Sequence, residues 1–258
     1  MKLANSPSRA PLLVSFSGID GAGKSTQIEQ LCAVLTAGGY SVAQLTFWDD
    51  VVILSRFREG VTHKVFKSEK GVGSPGKPVQ RRDKNVRAWY LSLMRSALYL
   101  LDGLHLRRVV ARARRSGAAV IIFDRYLYDE LANLPLQKRL ARGFLRFASA
   151  LAPRPDISYV IDANPEEACA RKPEYPLEFS RRCRQTYLQL AGILGMVVVP
   201  PLPVVQAGRE VADRFQEVAR ELTLPSQEPP KSGTFSSDGS PPTDTYANRN
   251  STILVPKD

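Results

Sequence analysis

Short apolar runs alternate with amphipathic stretches along most of the chain. Five runs have the length and apolar character of strands buried in a parallel sheet, namely residues 12–17, 40–47, 117–125, 156–163 and 196–201. In the stretches between these runs, apolar residues recur at helical spacing. Strands that alternate with helices need crossover connections, so the pattern predicts an α/β fold with a five-stranded parallel sheet and helices on both faces.

The predicted helices lie between the strands and after the last of them. They cover residues 24–37, 85–115, 128–151, 164–172, 178–195 and 207–223. We expect the second helix to break near Gly103 and the third to be interrupted at Pro135, because glycine and proline weaken or end helices. Asn164 and Pro165 are residue types that commonly begin a helix.

Two segments lack this periodicity. Residues 55–87 are rich in Gly, Ser and Lys, and we expect a mobile basic segment there. Residues 224–258 are rich in Pro, Ser, Gly and Asp, which is typical of a disordered tail. Residues 1–223 are then expected to form one domain around a single core.

The stretch FSGIDGAGKST, residues 16–26, joins the first strand to the first helix. It fits the spacing G-x-x-x-x-G-K-[ST], in which glycines let backbone N–H groups surround phosphates at a helix N-terminus. The spacing predicts that Lys24 reaches the outer phosphates of ATP and that the Ser25 hydroxyl binds Mg²⁺. The predicted nucleotide-binding residues are Gly18, Ile19, Asp20, Gly21, Ala22, Gly23, Lys24, Ser25 and Thr26.

The third predicted strand ends in Asp124 and Arg125. Ligands of parallel sheets bind at the carboxyl ends of the strands, where the phosphate loop is also expected. Asp124 is placed to hold the magnesium shell or to orient an acceptor, and Arg125 to hold an acceptor phosphate with its planar guanidinium. A purely structural ion pair is the alternative for these two residues.

The formal net charge of +11 favours either nucleic-acid binding or a site for polyanionic small molecules. Much of the positive charge lies in residues 55–87 and 105–117. Neither segment has the interleaved aromatic residues that are typical of a protein that binds single-stranded nucleic acid. We therefore expect a nucleotide as the substrate and no nucleic-acid partner.

Hydropathy and cysteine usage bear on location. The longest apolar runs are too short and too interrupted by proline for a membrane span, and the N-terminus has no convincing signal peptide. The three cysteines lack metal-ligand spacing, which favours reduced thiols at Cys32, Cys169 and Cys183. These features favour a cytoplasmic protein without a membrane partner.

The phosphate loop and the DRY sequence at 124–126 together closely resemble the motifs of the thymidylate kinase family. The sequences at 159–172 and 181–191 are similar to the family's fourth strand and to the helix after its lid. The resemblance covers residues 12–222. It implies the P-loop nucleotide kinase fold, ATP-dependent phosphorylation of dTMP with Mg²⁺, and assembly as a homodimer.

The resemblance also implies roles for single residues. The positions that match the family's catalytic residues are Lys24, Asp124 and Arg125, and those that match its metal site are Ser25 and Asp124. Asp20 would lie near the sugar hydroxyl of the acceptor, Arg125 would bind the acceptor phosphate, and Tyr99 would stack on thymine. A short lid at 170–178 would begin with Arg171 and Lys172.

Three places depart from the family pattern. Gly103 stands where an arginine that reads thymine is expected, and Trp48, Asp49 and Asp50 stand where an arginine near the acceptor phosphate is expected. After DRY, the family's Ser and Ala-Tyr-Gln run is replaced at Asp129, Asn133 and Leu134. Two alternatives therefore stay open: a kinase of the same fold with another small acceptor, and a nucleotide-dependent regulatory protein.

Overall fold

The computed structural model of the protein describes residues 10–52 and 89–223. Five strands form one sheet in the order β2-β3-β1-β4-β5, and every neighbouring pair is parallel. Their bounds are β1 Leu12–Ser17, β2 Val42–Thr46, β3 Val120–Asp124, β4 Ile157–Ile161 and β5 Val197–Val199. The predicted five-stranded parallel sheet is confirmed.

Seven α-helices lie in the described residues. They are α1 Lys24–Ala37, α2 Trp89–Arg115, α3 Leu127–Leu131, α4 Arg139–Leu151, α5 Pro165–Arg171, α6 Leu177–Leu194 and α7 Val204–Thr223. The interruption expected at Pro135 separates α3 from α4, whereas the break expected near Gly103 is wrong because α2 runs through it. The Asn164 side chain caps α5 by accepting a hydrogen bond from the Glu166 N–H at 3.0 Å, as its residue type predicts.

The core includes β1, at the centre of the sheet, and its neighbour β3. Leu13, Val14 and Phe16 of β1 are fully buried, as are Ile121 and Ile122 of β3. Since neighbouring strand residues point to opposite faces, burial of both sets means that both faces of the sheet are covered. The predicted basic segment, 55–87, and the predicted tail, 224–258, lie outside the described residues.

Strand register brings the chemical residues to one edge of the sheet. Phe16 of β1 and Thr46 of β2 both pair with Asp124 of β3. The segments that follow these three strands therefore begin side by side. As a result, residues 18–23 lie next to Asp124 and Arg125, as ligand sites of parallel sheets require.

The segment after β2 explains one departure from the family pattern. Residues Phe47–Val51 form a single π-helical turn, and the Asp50 carboxylate closes it by accepting a hydrogen bond from the Thr46 N–H at 2.6 Å. Phe47 is buried beneath the turn, while Trp48 is exposed. Asp50 thus has a structural partner at the end of β2.

The position of Gly103 in α2 explains a second departure. A Cβ atom there would lie 3.4 Å from Leu127 Cδ2 and 3.9 Å from both the Ala148 carbonyl oxygen and Leu151 Cβ. Gly103 is thus packed against α3 and α4. A methyl group fits there at ordinary contact distances, and we expect a longer side chain to displace these neighbours.

Two substitutions at Gly103 are expected to have opposite effects on stability. Gly103→Ala should be neutral or should stabilise by about 0.5–1 kcal/mol, because alanine favours the helix. Gly103→Arg should lower the free energy of unfolding by at least about 1–3 kcal/mol, because it overpacks the contact with α4. Chemical denaturation measures both, and an arginine variant as stable as the wild type would contradict this account of the helix contact.

Candidate functional site

Close packing explains two glycines of the phosphate loop. A Cβ at Gly18 would lie 2.5 Å from the Ile161 carbonyl oxygen, and one at Gly21 would lie 2.3 Å from the Ala168 carbonyl oxygen. Both residues also have positive φ angles, +142° and +81°. Only glycine satisfies the space and the backbone conformation together, so the loop is held tightly against β4 and α5.

Lys24 begins α1 at the base of the loop. Its side chain is buried, and Nζ donates to the carbonyl oxygens of Gly18 at 3.0 Å and Ile19 at 2.9 Å. The pKa of Lys24 is lowered to about 8, first by burial and then by the positive charge of Arg125, against the opposing effect of Asp20. In the free protein the ammonium group therefore loses its proton more readily than an exposed lysine does.

This pKa predicts proton uptake when ATP binds. At pH 8 a group with a pKa of about 8 is about half protonated, and phosphates beside it would raise the pKa. Binding of magnesium-saturated ATP should then take up about 0.5 proton at pH 8 and almost none at pH 6.5, where Lys24 already carries its proton. Accordingly, affinity should fall as pH rises above 8.

Calorimetric titration in two buffers of different ionisation enthalpy measures this uptake directly. The comparison between pH 6.5 and pH 8 serves as the internal control, because Lys24 is the group beside the phosphates whose protonation is expected to change between them. Equal proton uptake at both pH values would contradict the lowered pKa.

Asp124 ends β3 with an unsatisfied oxygen. Its Oδ1 atom is buried and has no hydrogen-bond partner among the described residues. Ser25, on the same cavity wall, is exposed. Mg²⁺ commonly binds through one or two protein oxygens while waters and substrate phosphates complete its shell, so this pair fits the metal that the sequence predicts.

A metal site made from protein side chains alone is not found in the part of the chain that the structure describes. No group of three or more His, Cys, Asp or Glu residues is arranged there to hold an ion.

Arg125 has a left-handed backbone, with a φ of +66°, and is the one non-glycine residue with positive φ in the described ranges. Its N–H donates to the Phe16 carbonyl oxygen at 2.9 Å, which ties the turn to β1. Such a conformation is costly for a residue with a side chain, and it is commonly found at functional sites.

Two carboxylates hold the Arg125 guanidinium. Nη2 pairs with Asp20, and Nη1 donates to Asp129 Oδ1 at 3.3 Å. Burial by itself would lower the pKa of Arg125, but the carboxylates raise it well above its ordinary value, Asp129 foremost. Burial would raise the pKa of Asp20, yet the nearby positive charges, Arg125 first, lower it overall.

One cavity of about 550 Å³ joins most of the predicted residues. Its walls include the phosphate loop and the start of α1, the end of β3 and the end of α5, through Asp20, Gly21, Ala22, Gly23, Lys24, Ser25, Thr26, Asp124, Arg125, Arg171 and Lys172. Gly18 and Ile19 lie at the base of the loop, where they accept hydrogen bonds from Lys24. The structure thus brings together residues separated by more than 100 positions in sequence.

The predicted lid residues flank this cavity. Arg171 is the last residue of α5, and its Nε donates to the Glu167 carbonyl oxygen at 3.3 Å. Lys172 follows it and pairs with Glu174 at 3.1 Å. Residues 172–176 connect α5 to α6, and a short lid at 170–178 stays a prediction.

Tyr99 is not among the residues that line the cavity. Its side chain is 3% exposed and interacts with Glu130 and Asn133. Burial, and secondly the negative charge of Glu130, raise the pKa of Tyr99 far above its ordinary value. Stacking of Tyr99 on thymine stays a prediction from the family resemblance.

Sequence reasoning assigned no role to two carboxylates near the site. Asp129 is buried beside Arg125, and Asp162 lines the cavity while Arg184 holds it through bonds of 2.6 and 2.7 Å. The sequence could have pointed to Asp129, because it replaces the family's Ser after DRY. No feature of the residue spacing could have pointed to Asp162 and Arg184.

Comparison with known proteins identifies thymidylate kinases. A probable thymidylate kinase of Archaeoglobus fulgidus is 27% identical over 208 residues, which cover 78% of this chain and 92% of that protein. A thymidylate kinase of Bifidobacterium longum subsp. infantis is 29% identical over 191 residues, which cover 70% of this chain and 74% of that protein. No family model matches the chain.

The crystal structure of thymidylate kinase from Ehrlichia chaffeensis shares the fold. It superposes with a TM-score of 0.51 at 19% identity and covers 81% of this chain and 100% of that one. Over most of its length the chain is thus similar in sequence to thymidylate kinases, and it shares the fold of one of them. Gly103 and residues 48–50 are the places where it departs from their pattern.

Proposed function

We propose that the protein transfers the γ-phosphoryl group of ATP to dTMP, which yields ADP and dTDP. The observation that supports this best is the single cavity between the phosphate loop, the Asp124–Arg125 pair and the two lid cations. Phosphoryl transfer asks a protein mainly for positioning and for neutralisation of charge. Relatives named thymidylate kinase support dTMP as the acceptor.

On the donor side, the loop glycines turn backbone N–H groups toward the phosphates of ATP. Lys24 would exchange its two carbonyl partners for the outer phosphates and stay fully charged while it neutralises them. Ser25 and Asp124 would hold Mg²⁺, which when bound offsets the negative charge of the phosphates.

On the acceptor side, Arg125 would hold the dTMP phosphate in line with the phosphoryl group. Its guanidinium must first exchange at least one carboxylate partner for that phosphate. Asp20, once released, lies beside the position proposed for the acceptor's sugar hydroxyl. Arg171 and Lys172 border the same cavity and would add positive charge as the lid approaches, which also excludes water.

A coupled assay of ADP release tests the proposal. Wild-type protein is given ATP and magnesium together with dTMP, other nucleoside monophosphates, nucleosides or sugar phosphates, each separately. We expect the highest kcat/KM with dTMP and no turnover when magnesium is omitted. Preferred turnover of another acceptor would overturn the choice of dTMP, and ATP binding without transfer to any acceptor would overturn the kinase activity.

Location and assembly are secondary proposals. Cys32, Cys169 and Cys183 are half-buried and form no disulfide bond in the described residues, which supports a reducing compartment such as the cytoplasm. No helix in residues 10–52 and 89–223 is long and apolar enough to cross a membrane. The homodimer stays a prediction. Sedimentation equilibrium, which measures the mass of the assembly in solution, would check it.

A further inference from the structure

The Asp129 side chain is a fully bonded buried carboxylate next to the site. Its side chain is 1% exposed. Four donors reach it: the Ser17 hydroxyl at 2.7 Å, the Tyr126 N–H at 3.0 Å, the Tyr187 hydroxyl at 2.8 Å and Arg125 Nη1 at 3.3 Å. A charge removed from water this completely is tolerated because every lone pair has a partner.

The two oxygens of Asp129 have different partners. Oδ2 accepts from Ser17 and from the Tyr126 N–H, so it connects β1 to the start of α3. Oδ1 accepts from Arg125 and from Tyr187, so it connects the guanidinium to α6, the helix that follows the lid. Oδ2 thus links two structural elements, whereas Oδ1 contacts the guanidinium at the site.

The two carboxylates that hold Arg125 also differ. Asp20 belongs to the phosphate loop, lines the cavity and has a side chain that is 26% exposed. Asp129 lies behind the guanidinium, away from the cavity walls, and is held from three elements. A phosphate that enters the cavity can compete with Asp20 for Arg125, but it has no access to the buried contact with Asp129.

We propose that Asp129 is the positioning residue for Arg125: its Oδ1 atom, held by Tyr187, keeps the guanidinium aimed into the cavity while Asp20 yields its place to the acceptor phosphate. The role at the acceptor phosphate rests on the proposed kinase function. The contact between Asp129 and the Arg125 guanidinium does not depend on that function, because it is present in the free protein.

The alternative is that Asp129 has only a structural role, as the residue that caps the N-terminus of α3. The Asp129 carboxylate accepts from the N–H of Tyr126, the residue before this short helix, as the acidic residue of a capping box does. That alternative involves Oδ2 alone, however, and leaves the contacts of Oδ1 unexplained. A variant that removes only the acceptor capacity of Oδ1 therefore separates the two roles.

Asp129→Asn is such a variant. The amide has one oxygen and one NH₂ group, and the fixed Tyr126 N–H requires the oxygen on its side. The NH₂ group then faces Arg125, where donor opposes donor, while the Tyr187 hydroxyl can rotate to accept. Arg125 loses its buried partner, and the helix cap survives.

The rate at which phenylglyoxal modifies Arg125, monitored by peptide mass spectrometry, measures how firmly Asp129 binds the guanidinium. The measurement requires no enzymatic activity. We expect Arg125 in Asp129→Asn to react about tenfold faster than in the wild type, in line with the loss of one charge-assisted hydrogen bond. Tyr187→Phe should give a smaller increase. Arg184, which Asp162 holds, reports in the same samples on general loosening of the fold.

Matched controls remove similar contacts elsewhere. Tyr159→Phe deletes a buried hydroxyl that donates to Val211, and Ser17→Ala deletes only a partner of Oδ2. Neither should change Arg125 reactivity more than about twofold, because neither touches Oδ1. Unchanged reactivity of Arg125 in Asp129→Asn, or an equal rise at Arg184, would overturn the proposal in favour of a purely structural carboxylate.

Kinetics extend the test to the acceptor. If the wild type phosphorylates dTMP, Asp129→Asn should raise KM for dTMP by about tenfold and leave KM for ATP within about twofold. A wild type without activity would count against the proposed function while the phenylglyoxal result still decides the role of Asp129. An active Asp129→Asn enzyme with wild-type KM for dTMP would overturn the positioning role at the acceptor.

Discussion

Lys24→Ala is expected to lower the rate of phosphoryl transfer by at least about 10²-fold, on the scale of removing one pre-organised charged group from an active site. Its ammonium is buried at the base of the phosphate loop, where bound phosphates would be its natural partners. Water cannot replace a charge at this depth. The coupled assay of ADP release, at saturating ATP and magnesium, measures the loss in kcat.

Unfolding is not expected to explain that loss. The pKa of Lys24 is lowered to about 8 in the folded protein, so its protonated form is less favoured there than in the unfolded chain. At neutral pH the buried charge therefore opposes folding, which offsets the two hydrogen bonds that the variant loses. Thermal unfolding of Lys24→Ala should stay close to that of the wild type.

Lys138→Ala is the matched control, since Lys138 is an exposed lysine just before α4. It should keep wild-type activity. A Lys24→Ala enzyme that is folded and nearly as active as the wild type would contradict the role of the phosphate loop in transfer.

The parts of the fold and site that sequence predicted depend on local rules. The bounds of β1 and α1 follow from an apolar run, a glycine loop and helical spacing within 26 residues, Leu12–Ala37. Asp124 and Arg125 were located because parallel strands end at one edge of the sheet. Such features need no knowledge of which helix packs on which.

The features that the sequence did not predict depend on tertiary packing. Asp129 and Tyr187 are 58 positions apart, and they meet only because the fold brings the Tyr187 hydroxyl of α6 to the buried carboxylate of α3. The sequence places Tyr99 in the second predicted helix, but the direction of its side chain depends on how α2 is rotated about its axis. The same rotation turns Gly103 toward Leu127 and α4, where we expect an arginine to displace its neighbours.

Arg125→Ala is expected to raise KM for dTMP by about 10²-fold, because a planar pair of hydrogen bonds to a phosphate is worth roughly 3 kcal/mol. Asp129 keeps its donors from Ser17, Tyr126 and Tyr187 but loses its positively charged partner, so the variant should fold with a lower free energy of unfolding than the wild type. KM for ATP should change far less. Steady-state kinetics with each substrate varied in turn give both values.

Arg125→Lys separates charge from geometry. Lysine keeps the positive charge but loses the planar fork, so it should recover only part of the affinity for dTMP. Arg214→Ala is the matched control, because Arg214 is also held by two carboxylates, Glu210 and Glu217, but on the surface of α7. Its loss should leave both KM values unchanged. If Arg125→Ala instead raised KM for ATP and spared dTMP, Arg125 would belong to the donor side, and the direction of transfer across the cavity would have to be reversed.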